Sequence, residues 1–293
     1  MEIGLNSDFW KEYETVEETE ESLRMIAAAG FTHVHWCFEW CSDYIYAASE
    51  MRQIREWMDK YGLRAKSLHA THGRGARKGL HARKNYLSPI EHNRLAGVEL
   101  IKNRVELSHV LGGSEIVLHM YLPYEDFANV PGAKEDFYAR ACKSLDDLMP
   151  FCLEKGVRIC LENLFEAPAE MQIEQFDMLF ERYPDKFLGL CLDTGHANLV
   201  WGNAFIKELA ERFGDRLYSI HMHDNKGWGK EPGCGDAHMV PGDGNIDWKA
   251  LMAVLRKSAY RQPWVLELTK PEGEDPESYL QRAYRAAEWM VNL

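Results

Sequence analysis

Short apolar runs alternate with longer amphipathic stretches along the whole chain, and this alternation is its clearest structural pattern. The short runs have the length and composition of strands buried on both faces of a sheet. Eight such strands are predicted, at Ile3–Leu5, His33–Phe38, Arg64–His69, Glu115–His119, Arg158–Glu162, Leu188–Asp193, Leu217–His221 and Trp264–Glu267.

The stretches between these runs carry helical signals. One of them begins with Ser88-Pro89 and ends at Gly112-Gly113, which are favourable start and stop residues. The predicted helices are Thr15–Ala29, Ser88–Leu111, Lys134–Glu154, Gln172–Arg182, Asn203–Phe213, Asp247–Lys257 and Pro276–Leu293. Five glycines follow successive helices where a left-handed cap is expected, namely Gly30, Gly62, Gly113, Gly156 and Gly214.

Strands that alternate with helices indicate a parallel sheet of the α/β class. Eight strands in 293 residues give about 37 residues per repeating unit, which is typical of a (β/α)₈ TIM barrel. An open doubly wound sheet is the alternative, but no G-x-G-x-x-G motif follows the first strand. No linker rich in Pro, Gly or Ser interrupts the chain, so we expect a single domain over residues 1–293.

Composition and charge narrow the class of protein. Asp and Glu total 46 against 34 Lys and Arg, which gives a formal net charge of −12 and argues against a general nucleic-acid or anionic-membrane binder. The 7 cysteines include no C-x-x-C pair, a pattern that favours a reducing cytoplasm. The segment Met1–Lys11 lacks the features of a signal peptide, and no stretch approaches roughly 18 apolar residues, so we expect a cytoplasmic protein without a membrane span.

Histidine or carboxylate residues end most of the predicted strands. The carboxyl ends of barrel strands converge on one rim, where active sites are built. Imidazole nitrogens and carboxylate oxygens gathered there are ligands for a divalent metal such as Zn²⁺ or Mn²⁺. The residues at or just after strand ends are His69, His119, Glu162, Asp193, His196, His221, Asp236, His238 and Glu267.

Three of these carboxylates, Glu162, Asp193 and Glu267, lie inside apolar runs. Burying a lone carboxylate is costly unless it is paired or bound to a metal. Three separate salt bridges would satisfy them, but the same phase recurs on neighbouring strands, which favours one shared cation. For His33 and His35, a structural role in the core is the simpler interpretation.

The second half of the chain carries motifs of a known family. They are Leu161-Glu162-Asn163, Leu192-Asp193-Thr194-Gly195-His196-Ala197-Asn198, His221-Met222-His223-Asp224-Asn225, the segment from Asp236-Ala237-His238 to Asn245-Ile246-Asp247-Trp248, and Leu266-Glu267. With these motifs the sequence resembles the xylose-isomerase-like TIM-barrel superfamily. This superfamily contains sugar and sugar phosphate isomerases and epimerases, inosose and dehydroshikimate dehydratases, and the metal-dependent abasic-site endonucleases of AP-endonuclease family 2.

In the sugar-isomerase branch, the resemblance implies one divalent metal (Mn, Zn, Mg or Co) held by Glu162, Asp193, His221 and Glu267. It further implies that Glu162 and Glu267 move protons at a substrate carbon while His196 orients a substrate oxygen. The expected activity is that of a metal-dependent isomerase or epimerase on a sugar or sugar derivative, through an enediolate.

Other activities of the superfamily stay open. In the endonuclease branch, the resemblance implies three zinc ions held by nine residues, and this chain has a matching residue type at all nine of the strand-end positions given above. The net charge of −12 and the absence of Arg and Lys from Cys37–Ser49 argue against nucleic acid as a partner. A dehydratase acting on an inosose-type keto-polyol and a sugar-binding module without turnover are further alternatives.

Four more residues are candidates for binding the substrate. Trp36 and Glu39 lie at the end of the second predicted strand, Lys226 follows the seventh, and Arg74 lies in the basic segment His72–Lys84. That segment is either a lid for a phosphate or carboxylate group or a solvated loop. We expect a small-molecule sugar substrate and no membrane partner, and the resemblance also allows a homo-oligomer.

Overall fold

The structure, a computed structural model, describes residues 1–10, 15–73, 83–261 and 263–293. Its centre is a sheet of eight parallel strands, in which the first seven strands each pair with their neighbours along the chain and the first strand also pairs with the eighth. The strands are β1 (Ile3–Asn6), β2 (His33–Trp36), β3 (Arg64–His69), β4 (Glu115–Leu118), β5 (Arg158–Glu162), β6 (Leu188–Asp193), β7 (Leu217–His221) and β8 (Trp264–Leu266). Met222, directly after β7, bridges in parallel to Leu266 of β8, so the barrel is nearly closed.

Helices connect the strands and surround the sheet. Within the described residues they are α1 (Val16–Ala28), α2 (Ala48–Lys60), α3 (Glu91–Leu111), α4 (Tyr124–Asn129), α5 (Ala133–Lys155), α6 (Ala169–Arg182), α7 (Thr194–Trp201), α8 (Asn203–Arg212), α9 (Trp248–Leu255) and α10 (Pro276–Val291). The predicted single-domain (β/α)₈ barrel is confirmed, and the open doubly wound alternative is wrong. No helix among the described residues combines the length and apolar character needed to cross a bilayer.

The strand predictions agree with the structure to within two residues at each end. The helix predictions omit α2, α4 and α7. One predicted cap is also displaced, because the left-handed residue after α3 is Gly112, with φ of 81°, rather than Gly113. Gly214 likewise begins a 3-10 turn, Gly214–Arg216, instead of adopting a left-handed conformation.

Side-chain alternation along the strands separates an outer core from the barrel interior. Leu161 and Leu192 point outward into the large core between strands and helices. Cys160 and Cys191, one residue earlier on β5 and β6, form a separate small cluster with Val117 of β4. Because successive side chains of a strand point to opposite faces, Glu162 and Asp193 fall on the interior face, above these cysteines. The alternation of side chains along each strand therefore places both carboxylates at the mouth of the barrel.

Candidate metal centre

Four side chains from neighbouring strand ends meet at the carboxyl-terminal mouth of the barrel. Each can place one ligand atom within 4.8 Å of the ligand atoms of the other three. The Nδ1 atom of His221 lies 3.3 Å from Glu162 Oε1 and 3.1 Å from Glu267 Oε2. It also lies 3.7 Å from Asp193 Oδ2. We call Glu162, Asp193, His221 and Glu267 the ligand tetrad.

The donor atoms of the tetrad suit a divalent cation. Both ring nitrogens of His221 and the Oε1 atom of Glu162 are buried without a hydrogen-bond partner. A buried polar atom in that condition costs about 1–3 kcal/mol, so several of them in one place need a common partner. One imidazole and three carboxylates form a mixed nitrogen and oxygen set of the kind that binds Zn²⁺ or Mn²⁺. The residues present therefore fit the metal that the sequence resemblance implies.

A pair of histidines adjoins the tetrad through Glu162. His119 Nε2 lies 2.9 Å and His69 Nε2 lies 3.4 Å from Glu162 Oε2. The other ring nitrogen of His119 is 2.8 Å from the hydroxyl of Tyr121. His69, His119 and Glu162 form a second group whose ligand atoms lie within 4.8 Å of one another.

A third group, the outer group, lies on the other side of the tetrad and consists of His196, Asp236 and His238. Asp236 Oδ1 is 3.5 Å from His196 Nε2 and 3.2 Å from His238 Nε2. His223 also has a donor atom within 4.8 Å of all three. The structure thus brings all nine strand-end candidates together, as three adjoining groups at one mouth.

Opposite charges stabilise one another within these groups. Burial would raise the pKa of Glu162, but His221 and His119 hold it well below its usual value. Burial would lower the pKa of His196, but Asp193, Asp236 and Glu162 raise it well above its usual value. Against the same effect of burial, Asp236 raises the pKa of His238 to about 9. The carboxylate of Glu162 is therefore held in the ionised form that a cation requires.

Aromatic side chains enclose the groups and leave a small cavity of about 70 Å³ above them. The ring of Trp40 lies 4.7 Å from that of His69, and the ring of Phe165 lies 5.1 Å from that of His196. A side pocket of about 200 Å³ continues from Glu162 between the segments that follow β4 and β5. Its walls are mostly apolar, with Met120, Leu122, Leu164 and Ala167 among them.

Three of the four predicted substrate-binding residues lie within the described part of the chain, and none of these three lines this cavity. Trp36 is 2 % exposed and donates from Nε1 to the hydroxyl of Tyr46, which places its ring in the outer core. Glu39 is exposed and Lys226 donates to the carbonyl of Pro232. Arg74 lies outside the described residues. Trp40 instead supplies the aromatic wall at the end of β2.

Two histidines that were not among the predicted site residues also lie at the site. His35, predicted to be a core histidine, is indeed buried, but its ring lies 4.5 Å from that of His221 and its Nε2 has no hydrogen-bond partner. His223 is fully buried between the tetrad and the outer group. The interior phase of β2 was the available signal for His35, whereas the signal for His223 was its place in the motif that begins at His221.

Comparison with known proteins places the chain among barrels of one family. The family described as xylose isomerase-like TIM barrel matches residues 23–292. Protein y4fM of Sinorhizobium fredii is 35 % identical over 282 residues, which cover 92 % of this chain and 88 % of that protein. An inosose dehydratase of Salmonella typhimurium is 24 % identical over 169 residues, 53 % of this chain and 55 % of that enzyme.

Solved structures share the whole fold at lower identity. A D-tagatose 3-epimerase-like protein is 20 % identical with a TM-score of 0.72, covering 100 % of this chain and 98 % of that one. A D-psicose 3-epimerase determined in the presence of D-fructose is 18 % identical with a TM-score of 0.73, covering all of both chains. The IOLI protein with a bound zinc atom is 18 % identical with a TM-score of 0.68, covering 100 % of this chain and 98 % of that one.

Proposed function

Because the chain belongs to the xylose isomerase-like TIM barrel family, we propose that it is a divalent-metal-dependent isomerase or epimerase of a sugar or sugar derivative. The observation that carries this proposal is the placement of two buried glutamates around one imidazole. Glu162 from β5 and Glu267 from the end of β8 both lie within 3.3 Å of His221 Nδ1. They can therefore face one substrate carbon from two sides of the barrel mouth.

Glu162, Asp193, His221 and Glu267 would hold the cation. When bound, it would polarise a substrate carbonyl and the neighbouring hydroxyl and make the adjacent C–H group more acidic. The four ligands are buried. Mn²⁺, Zn²⁺, Mg²⁺ and Co²⁺ are the ions to test.

Glu162 and Glu267 would carry the proton. The pKa of each is held well below its usual value, against the effect of burial, chiefly by His221. Each glutamate is therefore ionised, which is the form that can accept a proton from carbon, and the second glutamate can return a proton to the opposite face. Return to the same carbon with inverted configuration would be epimerisation, and return to the adjacent carbon would be isomerisation.

His196 would orient a substrate oxygen. Its Nδ1 donates to the backbone carbonyl of Asn163 at 3.0 Å, which fixes the ring and turns Nε2 toward Asp236 and the cavity. Trp40 and Phe165 offer apolar faces to the C–H groups of a sugar ring. The similarity to an epimerase crystallised with D-fructose and to an inosose dehydratase supports a ketose or keto-polyol as substrate.

Solvent-deuterium exchange tests this proposal directly. We expect the metal-loaded protein, incubated in D₂O with a panel of ketoses and inososes, to incorporate deuterium at a carbon next to the carbonyl of its substrate. The Glu162→Gln and Glu267→Gln variants should fold and lose about 10²–10⁴-fold in exchange rate, because each lacks a proton-transfer group.

The Glu272→Gln variant is the matched control, since Glu272 is exposed on the same rim five residues after Glu267. It should exchange at the wild-type rate. Near-normal turnover by Glu267→Gln would reject the proposed role of that residue.

A specific observation keeps phosphodiester cleavage as a second candidate. The histidine pair and the outer group flank the tetrad, so up to three cations have candidate ligands. Metal analysis separates the two proposals, because one ion per chain favours the isomerase and three ions favour the phosphodiesterase. Cleavage of an abasic DNA duplex at physiological salt is the direct assay for the latter. Loss of water from an inosose, seen in the same deuterium experiment, would instead identify a dehydratase.

A further inference from the structure

We propose that His223 is a positioning residue that joins the ligand tetrad to the outer group without itself binding metal. This inference rests on the proposed function, since it assumes that the tetrad holds a divalent cation. His223 follows β7 by two residues and is fully buried. Its contacts reach Asp193 of the tetrad on one side and His238 of the outer group on the other.

The first contact fixes the carboxylate of Asp193. His223 Nε2 lies 2.9 Å from Asp193 Oδ1 and 3.0 Å from Asp193 Oδ2. An acceptor pair at that distance requires the ring proton on Nε2, so the imidazole donates to the carboxylate. Asp193 Oδ1 also accepts from the backbone N–H of His196 at 2.6 Å. The carboxylate is thus held from two directions before any metal arrives.

The second contact supports His238. The rings of His223 and His238 stack with centroids 4.0 Å apart and planes only 3° from parallel. His238 has a positive φ of 43°, a conformation that needs support from its surroundings. The stacked ring of His223 provides such support within the segment that carries Asp236 and His238.

The same stacking excludes His223 as a co-ligand of His238. A metal bound to an imidazole lies close to the plane of the ring, along the lone pair of its nitrogen. Two rings stacked face to face in parallel planes cannot direct their lone pairs at one ion. His223 Nε2 is also committed as a donor to Asp193, and its Nδ1, which has no hydrogen-bond partner, faces Gly195. The proximity of four donor atoms in this region therefore reflects three candidate ligands and one positioning residue.

Gly195 creates the space in which His223 sits. A Cβ atom at position 195 would lie 2.1 Å from Cε1 and 2.4 Å from Nδ1 of the His223 ring. Thr194 fixes the backbone beside it, since the N–H of His223 donates to Thr194 Oγ1 at 3.0 Å and its carbonyl accepts from the same hydroxyl at 2.8 Å. The start of α7, at Asp193-Thr194-Gly195, is therefore built around the His223 ring.

Two substitutions separate the hydrogen bond from the ring. His223→Phe keeps a ring that can stack on His238 but cannot donate to Asp193. His223→Gln lacks the ring but carries an amide N–H at nearly the same distance from the backbone. Partners that hydrogen-bond a metal ligand typically contribute 10–100-fold to metal affinity. We therefore expect His223→Phe to bind Mn²⁺ about 10–100-fold more weakly than the wild type, and His223→Gln to stay within a few fold of it.

The measurement is isothermal titration of the chelator-treated full chain with Mn²⁺, with thermal melting of the metal-free proteins to verify folding. Gly195→Ala should weaken Mn²⁺ binding like His223→Phe, because the new methyl group displaces the ring. If His223→Phe does not fold, His223→Asn takes its place, since its amide is too short to reach Asp193.

Wild-type affinity in His223→Phe would overturn this inference while leaving the proposed function intact. Binding by His223→Gln as weak as that of His223→Phe would also overturn it, because the hydrogen bond would then not be the determining contact. Failure of the wild type to bind any divalent ion would overturn the proposed function itself. The two failures are therefore distinguishable in one set of titrations.

Discussion

Asp193 shows how much a single residue contributes to both fold and site. Its side chain accepts the backbone N–H of His196 and so caps the first turn of α7. The same carboxylate belongs to the ligand tetrad and accepts from His223. Because α7 carries His196, the residue that starts the helix also sets where that imidazole lies. The geometry of the mouth is therefore fixed by local hydrogen bonds at the end of β6.

Residue identity was enough to predict the nine strand-end candidates, because burying carboxylates and histidines costs free energy unless they share a binding partner. It was not enough for His223 or for Trp40. Their positions depend on how irregular segments turn after β7 and β2, and no period in the sequence records those turns. Trp36 illustrates the same limit, since one residue of strand phase turns a side chain from the mouth to the outer core.

His33, at the opposite end of the barrel from the site, predicts a pH dependence of stability. Burial, followed by the charge of Arg64, lowers the pKa of His33 to about 4 from a usual 6.5. The unfolded chain therefore binds the proton more readily than the folded chain between these values, and stability is lost as pH falls through this window. From pH 7 to pH 5 we expect His33 alone to cost about 1–2 kcal/mol.

The His33→Asn variant isolates this contribution, because an amide can still pair with the Thr32 hydroxyl that lies 2.9 Å from His33 Nδ1. Urea unfolding at the two pH values measures the free energy of unfolding of both proteins. The wild type should lose about 1–2 kcal/mol more than the variant on acidification. An equal loss in both proteins would show that His33 titrates alike in the folded and unfolded chain.

At the scale of elements, the helices that were not predicted fall into two kinds. α2 has the spacing of an amphipathic helix, with Met51, Ile54 and Trp57 on its buried side, so its pattern was available in the sequence. α4 buries none of its six residues and α7 buries most of its eight, so neither has an apolar stripe. Helices without such a stripe are set by tertiary contacts and cannot be recognised from periodicity.

The segment after β7 is organised around the buried carboxylate of Asp224, so we expect the stability of the protein to depend on this residue. Asp224 accepts from the backbone N–H groups of Gly242, Ile246 and Asn225 and from the indole N–H of Trp248. The Asp224→Asn variant replaces one acceptor oxygen by a donor and leaves two of these groups without a partner. We expect a loss of about 2 kcal/mol or more in the free energy of unfolding.

Asp243→Asn is the matched control, because Asp243 is exposed in the same segment and pairs with Arg282 at the surface. An exposed ion pair contributes about 0–1 kcal/mol, so this variant should stay close to the wild type in urea unfolding. Similar stabilities of the two variants would contradict the organising role of Asp224. Weaker Mn²⁺ binding by Asp224→Asn would further link this carboxylate to the outer group.

For the molecule as a whole, the regular alternation of strands and helices was sufficient to predict the barrel, and the barrel was sufficient to predict one shared mouth. Eight units of similar length leave few other parallel arrangements, and the strands from β1 to β7 indeed pair with their neighbours in sequence. The chemistry at the mouth is less determined, because one fold and one ligand set support several reactions.

A cation shared by four strands should stabilise the entire barrel, since it binds the folded chain and not the separated ligands. A ligand present at 100 times its dissociation constant adds about 2.7 kcal/mol to the free energy of unfolding. For a chain of this size we expect Mn²⁺ to raise the Tm of the chelator-treated protein by about 5 °C. Scanning calorimetry with and without Mn²⁺ measures the shift, and His221→Gln, which removes the central imidazole of the tetrad, should abolish it.

The exposed-site control Glu272→Gln should keep the full shift, because residue 272 is not part of any ligand group. A Tm that Mn²⁺, Zn²⁺, Mg²⁺ and Co²⁺ all leave unmoved would contradict a shared cation, since no ion can bind four strand ends of the native barrel without favouring it over the unfolded chain.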